Sequence, residues 1–286
     1  MILVTGATGN LGKSVVNQLQ KHLNNNQFIV TSSNIEGVEK LKNQGLNARL
    51  ANFSKQETLN EAFKGINQLL LISTMDQNRL EQHINVINAA KSQGVKHIVY
   101  TSLAIQNIEN SGVRDLMISH FKTEDYIKKS GLSFTILRNT MYADALVQIL
   151  GENGLNQDIN LPGGNGKVPY ALRREMGEAT ANLLLQDKKE NTIINITGSQ
   201  AFSYEDIAKE ISEITGKQIK YNNINKDDFQ AKLKQIGFPD FAIYLHAGTI
   251  LDIKNHQYEI ESKALETLLG RPTASKEVFL KELFNL

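Results

Sequence analysis

The sequence predicts a doubly wound α/β fold, a parallel sheet with helices on both faces, joined to a smaller, interleaved α+β lobe. Three observations carry this prediction. An apolar run at Ile2–Val4 leads through Thr5 into glycines at Gly6, Gly9 and Gly12. Short β-rich runs then alternate with helical patterns of about ten residues, the mark of βαβ units. Beyond Asn139 that alternation loosens into turns and polar-faced helices.

Taken in order, residues 27–31 (Gln-Phe-Ile-Val-Thr) read as a second strand and 47–52 as a third. Residues 69–73, 97–102 and 133–139 read as the fourth, fifth and sixth. Helical patterns lie between them at 13–23, 36–43, 55–63, 80–92 and 116–129. Ser54-Lys-Gln-Glu57 has the form of a capping box that would start the third helix. After the turn-rich break Leu161-Pro-Gly-Gly-Asn-Gly-Lys167, residues 169–185 read as a helix and 192–197 as a strand returning to the sheet. Ser203-Tyr-Glu-Asp206 is a helix cap, followed by a strand at 218–221 and helices near 227–236 and 276–284. The expected division is a dinucleotide-binding domain at 1–145, its sheet completed within 168–198, and a substrate-side lobe at 146–286.

Composition narrows the function. Lysine and arginine number 31 against 30 acids, so no global field attracts nucleic acid or an anionic membrane. Cysteine is absent from the 286 residues, which removes disulfides, thiolate nucleophiles and cysteine-bound metals. No apolar run approaches the ~20 residues of a membrane span. A chain opening on a core strand leaves no leader sequence, and a cytoplasmic protein is expected.

A strand feeding a glycine turn into a helix sets backbone amides against a pyrophosphate, the arrangement of a Rossmann dinucleotide site. The spacing is Gly-x-x-Gly-x-x-Gly, and the turn assigns Gly6, Thr8, Gly9, Asn10, Leu11 and Gly12 to the phosphates. In such a sheet the ligand crosses the carboxyl ends of the strands. The small or polar residues there, Ser32, Ser33, Asn34, Asn52, Ser73, Thr74, Thr101 and Ser102, become cofactor candidates. Cofactor preference is normally set at the end of the second strand, where an acid would hold the ribose of NAD. Thr31-Ser32-Ser33-Asn34 has no acid, which leaves room for a 2′-phosphate. No arginine clamps it, Glu36 comes late, and Lys13 or Lys40 are the cations in reach. NADP(H) is favoured over NAD(H).

Several segments together resemble one family. Thr5-Gly-Ala-Thr-Gly-Asn-Leu-Gly12, the stretch 82–102, His120-Phe-Lys-Thr-Glu124, Leu137-Arg-Asn-Thr-Met-Tyr142, Gly166-Lys-Val-Pro-Tyr170 and Leu268-Leu-Gly-Arg-Pro272 carry the likeness. It is to the NmrA-like branch of the atypical short-chain dehydrogenases/reductases, nearest the bacterial NAD(P)H:quinone oxidoreductases that work without flavin. The resemblance spans essentially the whole chain and implies a reductase of small electrophiles. The same family also contains cofactor-binding regulators that do no chemistry.

The wider superfamily uses Tyr-x-x-x-Lys to protonate a nascent alkoxide, and none of the eight tyrosines here has a lysine four residues on. The corresponding positions are Leu116 and His120. A quinone tolerates this loss, because hydride addition yields a phenolate-like anion of pKa about 10. A simple carbonyl yields an alkoxide nearer the ~15.7 of water. Candidate donors are Asn139 and Tyr142, on the loop that in the family lines the mouth of the cofactor cleft. Each also has a structural reading, Asn139 as a strand cap and Tyr142 as a packed residue. His120 either gives a proton or contacts the nicotinamide ribose, or is simply packed beside Phe121. The other histidines (His22, His83, His97, His246, His256) form no i, i+4 pair and no His-x-His, so no metal is expected. Ser102 lacks the partners of a hydrolytic triad. The favoured function is hydride transfer from NAD(P)H to a quinone or similar small electron acceptor, without flavin or metal. The alternative is a non-catalytic dinucleotide sensor. A homodimer or a protein partner stays open.

Overall fold

The computed structural model describes residues 1–151, 154–187 and 190–286. The chain divides into two compact units. One contains Met1–Leu103, Ile118–Asn139 and Arg173–Ile194, the other Ala104–Met117, Thr140–Leu172 and Asn195–Leu286.

In the first unit the elements run β1 (Ile2–Val4), α1 (Asn10–Leu19), β2 (Phe28–Ser32), α2 (Ile35–Asn43), β3 (Ala48–Leu50), α3 (Gln56–Ala62), β4 (Gln68–Leu71), α4 (Arg79–Ser92) and β5 (His97–Leu103). Then come α5 (Arg114–Ser130), whose first turn belongs to the second unit, and β6 (Ser133–Asn139). The second unit holds α6 (Leu146–Leu150) and β7 (Ile159–Leu161). The chain returns to the first with α7 (Arg173–Leu185) and β8 (Thr192–Ile196), which ends in the second. Among the described residues the strands form one seven-stranded sheet in the order β3-β2-β1-β4-β5-β6-β8. The pairs from β3 through β6 are parallel. This is the predicted doubly wound fold, with the order reversing between β1 and β4.

Strand alternation explains the packing. Leu3, Ile29, Leu69, Leu71, Ile98, Tyr100 and Ile136 share one face and bury themselves with Leu59 of α3, Phe63 at its C-cap, Val86 and Ile87 of α4 and Ile127 of α5. Their neighbours Val4, Phe28, Val30, Leu70, Val99 and Leu137 are equally buried, as parallel strands covered on both faces require.

The predicted capping box at residues 54–57 does not form. Lys55 is the N-cap of α3 and makes no side-chain cap bond, while the Ser54 amide donates to Asn52 Oδ1 at 2.9 Å. The helix begins one residue later than the motif requires. The helix predicted from Pro169 begins at Arg173, because the backbone before it is used in extended pairing. Val168 bridges Phe202, Ala171 bridges Tyr142, and the Pro169 carbonyl accepts from the Gly198 amide at 2.9 Å.

The second unit continues with α8 (Tyr204–Thr215), β9 (Tyr221–Asn223), α9 (Lys226–Gln235), α10 (Asp240–Lys254), α11 (Ala264–Leu269) and α12 (Lys276–Phe284). Here the predicted cap is made: Ser203 and Asp206 form a reciprocal capping box on α8. β7 and β9 pair in parallel. The strand predicted at 218–221 sits at Tyr221–Asn223, because the Ile219 amide is taken by Ser212 Oγ at 2.9 Å and its side chain is buried. The sequence pattern misses α10, whose apolar residues occur all round the helix and give no stripe. Its buried Asp252 accepts from Ser111 Oγ and the Gly112 amide, both at 2.6 Å, and so anchors the segment after β5. Among the described residues no helix is long and apolar enough to cross a membrane.

Candidate active site

The site begins where β1 stops. Thr5 ties the chain to β4, its amide and hydroxyl both donating to the Leu70 carbonyl at 3.0 Å. Gly6 then turns with φ of 62°, in the left-handed region that strains a side chain. The Gly9 amide returns to the Gly6 carbonyl at 3.0 Å, and α1 starts at Asn10. Its N-cap is Gly9, which has no side chain to satisfy the helix end. The first-turn amides of Asn10, Leu11 and Gly12 therefore have no acceptor within the helix.

The glycines are required for different reasons. A Cβ on Gly12 would lie 2.1 Å from the Gly6 carbonyl oxygen, so the turn itself forbids one. Gly9 has ordinary extended angles, φ −81° and ψ 166°. A Cβ there would meet only the Gly6 carbonyl oxygen, at 3.3 Å. A side chain at position 9 asks the turn to give by a few tenths of an ångström, far less than at Gly12, but it would stand where an anion against the α1 amides would lie. An uncapped helix end behind a side-chain-free turn fits a pyrophosphate.

Beside the turn opens a hollow of about 410 Å³. Gly6, Thr8, Ser32, Ser33, Asn52 and Thr74 of the predicted set line it, joined by Phe53, Asp76 and Gln82, which the sequence reading passed over. Asn52 is already engaged, with Oδ1 on the Ser54 amide and Nδ2 on the Ser33 carbonyl at 3.4 Å. Asn34 caps α2 through the Gly37 amide at 2.7 Å. The Asn78 amide and Gln82 hold the Asp76 carboxyl below its ordinary range. A second hollow of about 280 Å³ shares Thr8 and is lined by Lys13 and Lys40.

Towards β5 and β6 the candidates are bonded to one another. Thr101 Oγ1 accepts from the Ser73 amide at 2.9 Å and donates to Ser73 Oγ at 3.3 Å, joining the ends of β4 and β5. Ser102 Oγ donates to Glu124 Oε1 at 2.6 Å. His120 is 6% exposed and its Nδ1 lies 2.9 Å from the Tyr100 hydroxyl. Burial, with Arg79 adding to it, holds the His120 pKa well below its ordinary value, so the ring is neutral at pH 7.

Behind these residues lies a polar cluster that the sequence does not announce. Arg79 is fully buried and donates from Nε to the Thr74 carbonyl at 2.5 Å and from Nη1 to Ser119 Oγ at 3.1 Å. His83 Nδ1 meets Thr123 Oγ1 at 3.1 Å. That hydroxyl spends its hydrogen on the Ser119 carbonyl at 2.8 Å, so His83 Nδ1 carries the proton and donates. Its Nε2 is then a lone pair without a partner. Burial, then Arg79, pushes the His83 pKa down to about 3.

Asn139 is buried as the last residue of β6. Tyr142 stands in the second unit, half-buried at the head of a 3-10 turn (Ala143–Ala145). The structure thus gathers the glycine turn and the β2 end around one hollow and links Ser73 to Thr101. Ser102 and His120 it turns inward. The missed residues, Arg79, Glu124 and Arg138, join positions far apart in the chain. Arg138 carries a sequence signal, a charge near the end of a largely apolar strand, whereas Arg79 and Glu124 sit on helices rich in polar residues and carry none.

The turn, the parallel sheet and the site together define a dinucleotide-binding reductase fold, and the sequence profile of the NmrA-like family matches residues 1–270: the chain belongs to that family. Quinone oxidoreductase 2 of Escherichia coli is 33% identical over 290 aligned positions, covering 100% of this chain and 99% of that protein. The crystal structure of the E. coli NADPH-dependent quinone oxidoreductase bound to NADPH superposes with a TM-score of 0.91 over 100% of both chains. Citrobacter triphenylmethane reductase with NADP(H) is 30% identical and superposes at 0.89, covering 98% of this chain and 99% of that one.

Proposed function

We propose that this NAD(P)H-dependent oxidoreductase transfers hydride from NADPH to a quinone, without an intervening flavin or metal. The observation that carries the choice of acceptor is the state of His120. It occupies the position of the superfamily's lysine, yet it is buried, bonded to Tyr100 and held neutral. No strong acid is on hand there for an alkoxide. A quinone needs none, since its reduced anion has a proton affinity near that of tyrosine, pKa about 10, and hydrogen bonds can steady it. Asn139 and Tyr142 are the proposed donors.

The glycine turn and the amides of Asn10, Leu11 and Gly12 hold the pyrophosphate. Ser32 and Ser33 face the adenosine ribose and leave its 2′-phosphate unopposed by any acid of their own. Ser73, Thr74 and Thr101 form the wall of the second nucleotide half. Full-length likeness to an E. coli quinone oxidoreductase supports this reading. So does the 25% identity to the NAD(P)H azoreductase of Xenophilus azovorans, over 98% of this chain and 97% of that one.

Purified protein mixed with NADPH and a small benzoquinone, without added flavin, should consume NADPH catalytically. Tight NADPH binding with no turnover of any quinone would favour the sensor instead.

A further inference from the structure

We infer that Glu124 is a positioning residue for the reacting half of the site, clipping the carboxyl ends of β5 and β6 together from α5; this rests on the NADPH reading above. Its side chain is 1% exposed. Oε1 accepts from Ser102 Oγ at 2.6 Å and from Arg138 Nε at 2.9 Å, and Oε2 accepts from Arg138 Nη2 at 2.6 Å. Ser102 and Arg138 are directly opposed in the β5–β6 register, and the next pair, Leu103 and Asn139, ends both strands. The clip therefore closes one residue short of the edge that a dinucleotide crosses. The Phe121 ring lies 5.2 Å from the Arg138 guanidinium carbon and steadies the third arm.

Two consequences follow from the chemistry. A buried carboxylate is expensive to desolvate and is retained only where its partners are well placed; here a two-pronged arginine and a serine supply them. Such a group fixes geometry more than it adds stability. The single hydrogen of Ser102 is also spent on Glu124, so Ser102 presents only lone pairs to a ligand. It can accept from a ribose hydroxyl or a carboxamide, and it cannot protonate the reduced acceptor. With this strand order the second nucleotide half lies over β4, β5 and β6, so loosening the clip disturbs the nicotinamide side and spares the adenosine side.

The test is Glu124→Gln, which keeps the size and removes the charge, with Ser102→Ala as a gentler companion. Thermal unfolding, NADPH affinity, the fluorescence of bound NADPH and the kinetics with benzoquinone are measured on each. For Glu124→Gln, kcat should fall at least tenfold and the emission of bound NADPH should shift, with the NADPH Kd changing less than threefold. Ser102→Ala should move the same readouts less, and the double variant should be no worse than Glu124→Gln. A folded Glu124→Gln with unchanged kcat and emission overturns the inference. So does activity lost only in proportion to the unfolded fraction, which would make Glu124 a plain staple. If Glu124→Gln does not fold, Ser102→Ala decides by the same readouts. If the unaltered protein binds NADPH but reduces no quinone, the proposed function fails, and the emission of bound NADPH still decides the clip.

Discussion

The two ends of the proposed cofactor site are built on opposite plans. At the β1 end side chains have been removed: three glycines in seven residues leave bare amides, and in the proposed site binding falls to the backbone. At the β5–β6 end side chains crowd in and bond one another, Ser73 with Thr101, Tyr100 with His120, Ser102 and Arg138 with Glu124. The first plan suits an invariant anion, which needs donors and space. The second suits the reacting half, where small displacements matter and rigidity preserves geometry. Sensitivity should differ accordingly: adding atoms should damage the first region, and removing them the second.

The sharpest break in that contrast comes from Gly9→Val. A Cβ at position 9 meets only the Gly6 carbonyl oxygen, so the fold should persist. The isopropyl group would nonetheless occupy the pyrophosphate position, and NADPH affinity should fall on the order of a hundredfold, about 2.7 kcal/mol. Titration calorimetry on a variant with a native circular dichroism spectrum checks this. Unchanged affinity would remove the glycine turn from the site.

The second region makes its own prediction through pH. His83, folded, has a pKa near 3 against an ordinary 6.5, with burial the main cause. A histidine kept neutral by folding contributes stability that is complete above pH 6.5 and is lost as pH falls towards 3. The slope approaches about 1.4 kcal/mol per pH unit below pH 6, which sums to about 1.6 kcal/mol between pH 6.5 and 5. The buried His120, also held well below its ordinary value, adds a loss of its own in that window, whereas carboxylates of ordinary pKa hardly titrate there. Urea unfolding at pH 6.5 and 5 should show the loss, and His83→Gln should show less of it, whatever its stability at neutral pH. Parallel pH dependence in the two proteins would mean that His83 charges freely when folded.

The same contrast explains what could be read from the sequence. The glycine turn is local: strand, turn and helix occupy twelve consecutive residues, so spacing alone reveals them. The doubly wound order was legible because each βαβ unit carries its own periodicity. The Glu124 clip joins positions 22 and 14 residues apart, and nothing local distinguishes Glu124 from a solvated helix acid. Ser102 was legible as a strand-end serine, but its committed proton was not. Displaced boundaries have different causes: extended pairing before Arg173, a bond back to Ser212 at Ile219, and a local turn on Asn52 before α3. Helix α10 escaped because burial on every side erases the stripe that pattern reading needs.

A smaller effect concerns the proposed donors. Tyr142→Phe removes one hydroxyl and should slow quinone turnover by about 1–2 kcal/mol, the scale of one hydrogen bond. His120→Asn should slow it less if the ring only braces Tyr100. The rate of the unaltered protein should change little from about pH 6 to 8, since no donor need titrate there. A rate that rises towards acid and loses that rise in His120→Asn would make the histidine the proton source and reverse this ranking.

The smallest effect sharpens the comparison within the first region, where bare backbone gives way to charge. Lys13 on α1 and Lys40 on α2 line one hollow with Thr8, and Thr8 also lines the hollow beside Ser32 and Ser33. Neither lysine is engaged in an ion pair among the described residues. Two exposed ammonium groups near an acid-free strand end are the natural counter-charge for a 2′-phosphate, but water and salt weaken them. Replacing both with alanine should raise the NADPH Kd by about 1 kcal/mol, roughly fivefold, at low salt, leaving NADH almost unaffected. The difference between the two cofactors should shrink as ionic strength rises above about 0.1 M, where screening acts within about 10 Å. Tighter NADH binding at every salt concentration would show that the end of β2 selects for the unphosphorylated ribose. An equal loss for both cofactors would place the lysines on the pyrophosphate, as an extension of the turn and not a reader of the 2′ position.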